Sequence, residues 1–207
     1  IQIEGKFTKF IKDLRAEEFV IKTGERTELR GTINLPDFRS IKDAFYHEKI
    51  DYVFVDLADI QNIKLPKKSS SRRIKLDPTI QRLKYVEAHD IRVDGIYSQF
   101  VLSSDEIKTA IGSVNMDNGI LFTHNAQRKS FEFSHSEASD YDVKINEFNL
   151  GTFLGNSMVG VVDGTFFLSG EARSFSDIDF NKIEGHVNRF DLADYSYSNI
   201  KVENTSF

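Results

Sequence analysis

The chain has 207 residues and balances 27 Lys and Arg against 32 Asp and Glu, a formal net charge of −5. Its 40% apolar content argues against a disordered chain. Its mild acidity makes it a poor candidate for non-specific nucleic-acid binding, which needs a clustered basic surface, so we predict no nucleic-acid partner. It has no Cys, which excludes disulfides, thiolate catalysis and Cys-ligated metals, and it has 18 Phe but no Trp.

The chain begins in the middle of an alternating pattern. Ile1, Ile3, Gly5 and Phe7 alternate with polar residues, and side chains on a strand switch faces at every residue. This pattern predicts a strand with one apolar and one polar face. Because the first residue is Ile and already belongs to the pattern, we interpret the chain as an excerpt of a longer, repeat-built protein.

The same alternation recurs along the chain and predicts about ten or more strands. It is clearest in four segments: 29–35, 91–97, 162–168 and 183–187. The apolar faces could be hidden in a closed barrel, in a two-sheet sandwich, or in one long sheet curled over its own apolar face.

Short helices are predicted at three places. The first lies within Asp37–Glu48 after Pro36, the second within Asp56–Ile63, and the third begins at Pro78. Between the last two, residues 67–73 are charged and rich in Ser and predict an exposed loop. We therefore predict a first strand-rich unit at 1–66, a loop and helix at 67–84, and a second strand-rich unit at 85–207.

Six glycines interrupt the apolar side of the predicted strands. They form pairs separated by 26, 17 and 21 residues, as if each pair marked two adjacent strands: Gly5 and Gly31, Gly95 and Gly112, Gly164 and Gly185. Glycine weakens a strand by roughly 0.5–1 kcal/mol, so the repetition needs a reason. One reason is that glycine lets a sheet curve tightly. The other is that missing side chains widen an apolar trough.

Catalytic motifs are missing from the sequence. There is no nucleophile elbow, phosphate-binding loop or zinc-protease motif, and the five His residues are dispersed. The acidic clusters 140–142 and 177–179 are flanked by turn residues, which favour capping roles. We therefore predict a protein that is not an enzyme and that has no cofactor or metal.

Five segments resemble TamB-like proteins of the Bacteroidota, members of the AsmA/TamB superfamily. The resemblance extends over residues 1–66, 78–116 and 146–204 in the family's order; 67–73 looks like an insertion and 117–145 has no clear counterpart. The segments that carry the resemblance are Thr27–Phe38, Phe148–Asn156, Gly160–Phe166, Ile183–Phe190 and Tyr195–Val202.

The resemblance implies a non-catalytic protein of the Gram-negative periplasm, anchored in the inner membrane in its full-length form. It implies an all-β fold: a long, strongly curled antiparallel sheet, or β-taco, with an apolar concave face and one to three short helices. The implied partners are phospholipid acyl chains, which the groove shields during transport between the membranes, and an outer-membrane assembly barrel of the BamA or TamA type.

Two other functions stay open. A sheet edge could receive strands of unfolded outer-membrane proteins, or the chain could be a secreted carbohydrate-binding sandwich, which the absence of Trp disfavours. For the lipid groove we predict lining by apolar residues and the glycines between them: Ile3, Gly5, Phe7, Leu29, Gly31, Ile33, Val93, Gly95, Tyr97, Gly112, Val114, Gly164, Phe166, Leu168, Gly185 and Val187.

Overall fold

A computed structural model describes residues 2–9, 14–35, 45–62, 74–135, 141–174 and 177–205. They form one large curved antiparallel sheet with three short helices, which confirms the all-β prediction. In chain order the elements are β1 Gln2–Lys9, β2 Leu14–Thr23, β3 Thr27–Leu35, β4 Phe45–Asp56, α1 Leu57–Asn62, α2 Pro78–Gln81, β5 Tyr85–Ile96, β6 Gln99–Thr109, β7 Gly112–Asn125, β8 Ser130–His135, β9 Val143–Asn149, α3 Leu150–Leu154, β10 Val159–Ser174, β11 Asp177–Leu192 and β12 Tyr195–Thr205.

The sheet is continuous from β1 to β12. Each strand pairs with its predecessor in the chain except around β8, β9 and β10, and among the described residues β1 and β12 form its two edges. Strands β4 and β5 pair along their whole length, from Phe45 opposite Ile96 to Asp56 opposite Tyr85. The strands on either side of residues 67–84 therefore belong to one sheet.

Strands β8 and β9 together fill one position in the sheet. The second half of β7 pairs with β8 and its first half with β9, and β10 divides in the same way. Asp142, which is fully buried, lies at the junction. Its N–H donates to the carbonyl of Phe166 (2.9 Å), and its carboxylate accepts from the N–H of Leu168 (2.8 Å) and lies 2.9 Å from Nδ1 of His135. Where the two strands meet, the carboxylate of Asp142 thus accepts a backbone N–H of β10 in the place of a strand carbonyl.

Two of the three helix predictions are confirmed. Helix α1 lies within 56–63, and α2 begins at Pro78, with the side chain of Asp77 accepting from the N–H of Thr79 at 2.8 Å. The prediction for 37–48 is wrong for residues 45–48, which open β4: their burial alternates and they pair with β5. Residues 37–44 and the predicted loop 67–73 lie outside the described residues.

Helix α3 was not predicted. It begins after Asn149, whose Oδ1 accepts from the N–H of Thr152 at 2.7 Å, and it ends at Gly155, which adopts a left-handed conformation with φ of 71°. Asn and Gly are the residues that favour these two positions. The helix has only five residues, too few to show an apolar periodicity.

Four strands contain a residue with positive φ that shifts the apolar pattern by one position. These residues are not glycines: Glu18 (49°), Asp90 (48°), Glu147 (46°) and Asn199 (57°). At each one the apolar side chains lie two residues before and one residue after it. In β2, for example, Ala16 lies opposite Ile33 whereas Phe19 lies opposite Gly31, so β2 has one extra residue there. This bulge keeps both side chains on the same face.

The glycine pairs do not all mark adjacent strands. Gly164 and Gly185 lie on neighbouring strands, but one strand separates the members of each of the other two pairs. The prediction was wrong there, because each glycine is placed by close contact with the strand beside it and not by the other glycine of its pair: a Cβ on Gly5, whose φ is 146°, would lie 2.8 Å from Cα of Phe19, and one on Gly112 would collide with Phe148. At all six positions a Cβ would meet the backbone of a neighbouring strand, which favours curvature as the reason for these glycines.

Candidate functional site: an apolar track across the sheet

An unbroken row of apolar residues and one glycine crosses the whole sheet. Residues that are direct partners on neighbouring strands point to the same face, so a series of partners can be followed from one edge to the other. We call the following row the apolar track: Ile3, Ile21, Leu29, Val53, Ala88, Ile107, Val114, Ile145, Gly164, Val187 and Ile200.

The row one residue away, on the opposite face, is almost entirely polar. Its members are Lys22, Glu28, Phe54, Glu87, Lys108, Ser113 and Asn146. The exception, Phe54, is covered by the guanidinium of Arg26, 4.9 Å from its ring centroid, and by the ring of Tyr85 at 5.4 Å. We call the two sides of the sheet the apolar face and the polar face.

The apolar track is exposed only on the two edge strands of the described sheet. Ile3 is 58% and Ile200 36% exposed, whereas Ala88 in the middle of the sheet is 3% exposed and Val187, on the strand next to an edge, is 8% exposed. No second layer covers this face among the described residues, so its central side chains are buried by one another, as expected where a sheet curves inward. The track is therefore most accessible at its two ends.

A second row on the apolar face is built from aromatic rings and glycines. Rings of neighbouring strands follow one another, with centroids 5.3 Å apart for Phe100 and Phe122, 6.2 Å for Phe122 and Phe133, and 5.7 Å for Phe133 and Phe180. Between the last two lies Gly170, where a Cβ would meet the Phe133 ring at 2.6 Å. Aromatic rings that cover glycines let the sheet curve without leaving a gap.

A cluster of buried side chains on the apolar face lies where β7, β8 and β9 meet. Ile120, Phe133 and Val143 are buried there, and Val114 and Leu168 are among the half-buried residues that pack against them. This region falls largely within 117–145, the stretch without a counterpart in the resemblance, and it is part of the same sheet.

Most of the predicted lining residues share the apolar face. Ile3, Leu29, Val114, Gly164 and Val187 lie on the apolar track itself. In neighbouring rows of the same face lie Gly5, Gly31, Ile33, Val93, Gly95, Gly112, Phe166, Leu168 and Gly185.

Two of the predicted lining residues differ from the rest. Phe7 pairs with Ala16, but its side chain is outside the described part of the structure. Tyr97 lies in the turn after β5, 36% exposed, with its ring 5.0 Å from that of His124 and 5.8 Å from that of Phe131.

Six residues of the track were missed: Ile21, Val53, Ala88, Ile107, Ile145 and Ile200. None of these six lies two residues from one of the six strand glycines, the position on which the lining prediction depends. All four positive-φ residues at the bulges lie within the same pattern, which is an apolar residue, any residue, an Asp, Glu or Asn, and another apolar residue. This pattern could have located Ala88, Ile145 and Ile200.

One carboxylate interrupts the apolar face. Glu48 pairs with Val93, and its Oε2 accepts from the N–H of Asn34 at 2.7 Å. Its Oε1 is buried and has no hydrogen-bond partner in the described part of the chain. Burial raises the pKa of Glu48, against smaller lowering effects from the Asn34 hydrogen bond and from His47. Burial and the nearby Glu48 charge also raise the pKa of Tyr46.

The described residues contain no group of three potential metal ligands, and none of the described helices is both long and apolar enough to span a membrane. Comparison with known proteins finds no match to any protein-family model, curated protein or solved structure.

Proposed function

We propose that this sheet is a periplasmic segment of a TamB-like envelope protein that shields phospholipid acyl chains during their transport between the inner and outer membranes. The observation that carries the proposal is the apolar track, because it crosses every strand position of the sheet without a polar residue. The resemblance of the sequence to TamB-like proteins supports the same function.

The dimensions of the track suit an acyl chain that moves rather than one that is held. Neighbouring strands lie about 4.8 Å apart, so a row across the sheet is on the order of 48 Å long. An acyl chain extends over about half of a bilayer core of about 30 Å. The track is thus about three times longer than one chain, and it has no end wall among the described residues.

The free energy at stake is large. Exposing about 16 methylenes to water costs on the order of 13 kcal/mol at ~0.8 kcal/mol for each. A continuous apolar surface removes most of this cost, and a row without polar interruptions offers no position at which a chain would bind much more tightly than at the next. These are the properties that passage along the sheet requires.

Site-specific photo-crosslinking tests this proposal. A photoreactive amino acid would replace Ile107 or Phe166 on the apolar face, with Lys108 and Thr165, their neighbours on the polar face, as matched controls. After illumination of cells that produce these variants, mass spectrometry should find phospholipid adducts at positions 107 and 166 but not at 108 and 165. Adducts at neither pair, or equally at both, would contradict the proposal.

Strand augmentation is a second candidate function, favoured by strand β12 at one edge of the described sheet. In the described structure β12 pairs only with β11, and it exposes Tyr195 and Tyr197. A single edge strand offers unpaired backbone groups to an incoming strand. Crosslinks to an unfolded outer-membrane protein from β12, without lipid adducts at 107 and 166, would favour this function over lipid shielding.

A further inference from the structure

Glu48 is an acidic side chain on an otherwise apolar part of the sheet. Its row continues through Val93, Leu102 and Ile120 on the next three strands, and then reaches His135 on β8. On its own strand the nearest residue of the same face toward the apolar track is Ile50, which pairs with Ile91. A carboxylate in this setting loses hydration and needs partners to replace it.

The partners in the described structure are incomplete. A carboxylate offers two oxygens with about four acceptor sites, and Glu48 uses Oε2 for the N–H of Asn34. Its Oε1 is buried with no donor among the described residues. A buried acceptor without a donor is rare in folded proteins and calls for an explanation, such as a ligand.

The neighbouring basic side chains are engaged elsewhere. Lys49 lies on the polar face, with Nζ at 3.0 Å from Asp51 and 2.8 Å from Asp90. The ring of His47, also on the polar face, contacts the carboxylate of Asp94. In the described part of the chain, no basic group forms an ion pair with Glu48, so none of these residues neutralises its charge.

We propose that Glu48 binds the primary ammonium headgroup of an amphiphile whose acyl chain lies on the neighbouring apolar face. This inference rests on the proposed function. An ammonium supplies N–H donors and a positive charge, which suit the unpaired Oε1. A quaternary ammonium has the charge but no N–H, and a carboxylate headgroup is repelled. Burial raises the pKa of Glu48, and a bound ammonium would lower it again.

Displacement of the fluorescent apolar probe N-phenyl-1-naphthylamine tests this assignment. The competitors are dodecylamine, dodecyltrimethylammonium and dodecanoate, which share a chain and differ in headgroup. We expect the wild-type protein to prefer dodecylamine to dodecyltrimethylammonium by about tenfold, as a charge-assisted hydrogen bond allows. In Glu48→Gln the preference should fall to about twofold or less.

The matched control is Glu87→Gln, which removes the same charge from the polar face of β5. It should keep the full preference, and circular dichroism should show that both variants are folded. If the naphthylamine probe binds but the Glu48→Gln variant keeps the wild-type preference, the assignment of the headgroup site is wrong and the acyl track stands. If neither the probe nor any dodecyl compound binds, both proposals are overturned.

Discussion

The two faces of the sheet use the same strands but are held together by different interactions. On the apolar face, buried side chains such as Phe133 and Val143 pack against one another. On the polar face, ion pairs such as Lys108 with Glu106 (2.8 Å) join exposed side chains. Exposed pairs contribute about 0–1 kcal/mol each, whereas a buried aromatic contributes several. The face that we propose to carry lipid therefore also holds the sheet together.

The largest expected effect comes from removing a ring on the apolar face. Phe133 contacts the rings of Phe122 and Phe180, and its truncation leaves a cavity. We expect Phe133→Ala to lower the free energy of unfolding by about 3–5 kcal/mol in urea denaturation. The neighbouring Glu132, exposed on the polar face, is the control: Glu132→Ala should change it by about 0.5 kcal/mol or less. Equal losses would contradict the difference between the faces.

The strands were predictable because the two faces differ so strongly. Residues 29–35 alternate without interruption, and β3 covers them. The apolar track was predictable only in part, because a residue with positive φ such as Asp90 shifts the pattern between Ala88 and Ile91. Strands β8 and β9 share one sheet position, and at their junction the carboxylate of Asp142 binds the N–H of Leu168. These two residues are far apart in the chain, so no local sequence pattern predicts the contact.

A smaller effect on stability is expected where a carboxylate is bound by backbone N–H groups, and exposed ion pairs are the comparison. Asp59 on α1 accepts hydrogen bonds from the N–H groups of Glu25 and Arg26, in the turn between β2 and β3, and of Thr27, the first residue of β3, at 2.9, 3.0 and 2.9 Å. These bonds lower its pKa to about 2. Because the folded pKa lies below the unfolded value, the stabilisation is present above about pH 4 and is lost as the pH falls toward 2.

The variant Asp59→Asn should lower the free energy of unfolding at pH 7 by at most about 2 kcal/mol and flatten its decrease between pH 4 and 2. Glu106→Gln, which breaks the exposed pair with Lys108, is the comparison and should cost about 0–1 kcal/mol. Urea denaturation at several pH values measures both variants. A wild-type profile that does not change between pH 4 and 2 would show that Asp59 does not hold this turn.

The smallest effect concerns the bulges that keep the apolar face continuous, and it should reverse sign between two positions. Glu147 has a φ of 46°, and its N–H donates to Oδ1 of Asp163 at 2.5 Å. A left-handed backbone costs an L-residue roughly 1–2 kcal/mol that glycine does not pay, so Glu147→Gly should raise the free energy of unfolding by about 0–1 kcal/mol. Glu132→Gly removes the same type of side chain from a regular strand, and it should lower the free energy of unfolding by about 0.5–1 kcal/mol. Both changes remove one negative charge from an exposed residue, and Glu132→Gly also removes the hydrogen bond that Oε1 of Glu132 accepts from Asn125 at 2.9 Å. The sign of the change at Glu147 in thermal or urea unfolding therefore reports the backbone. If both variants were destabilised equally, the shift of the apolar pattern at Glu147 would not depend on a left-handed residue, and the continuity of the track would need another cause.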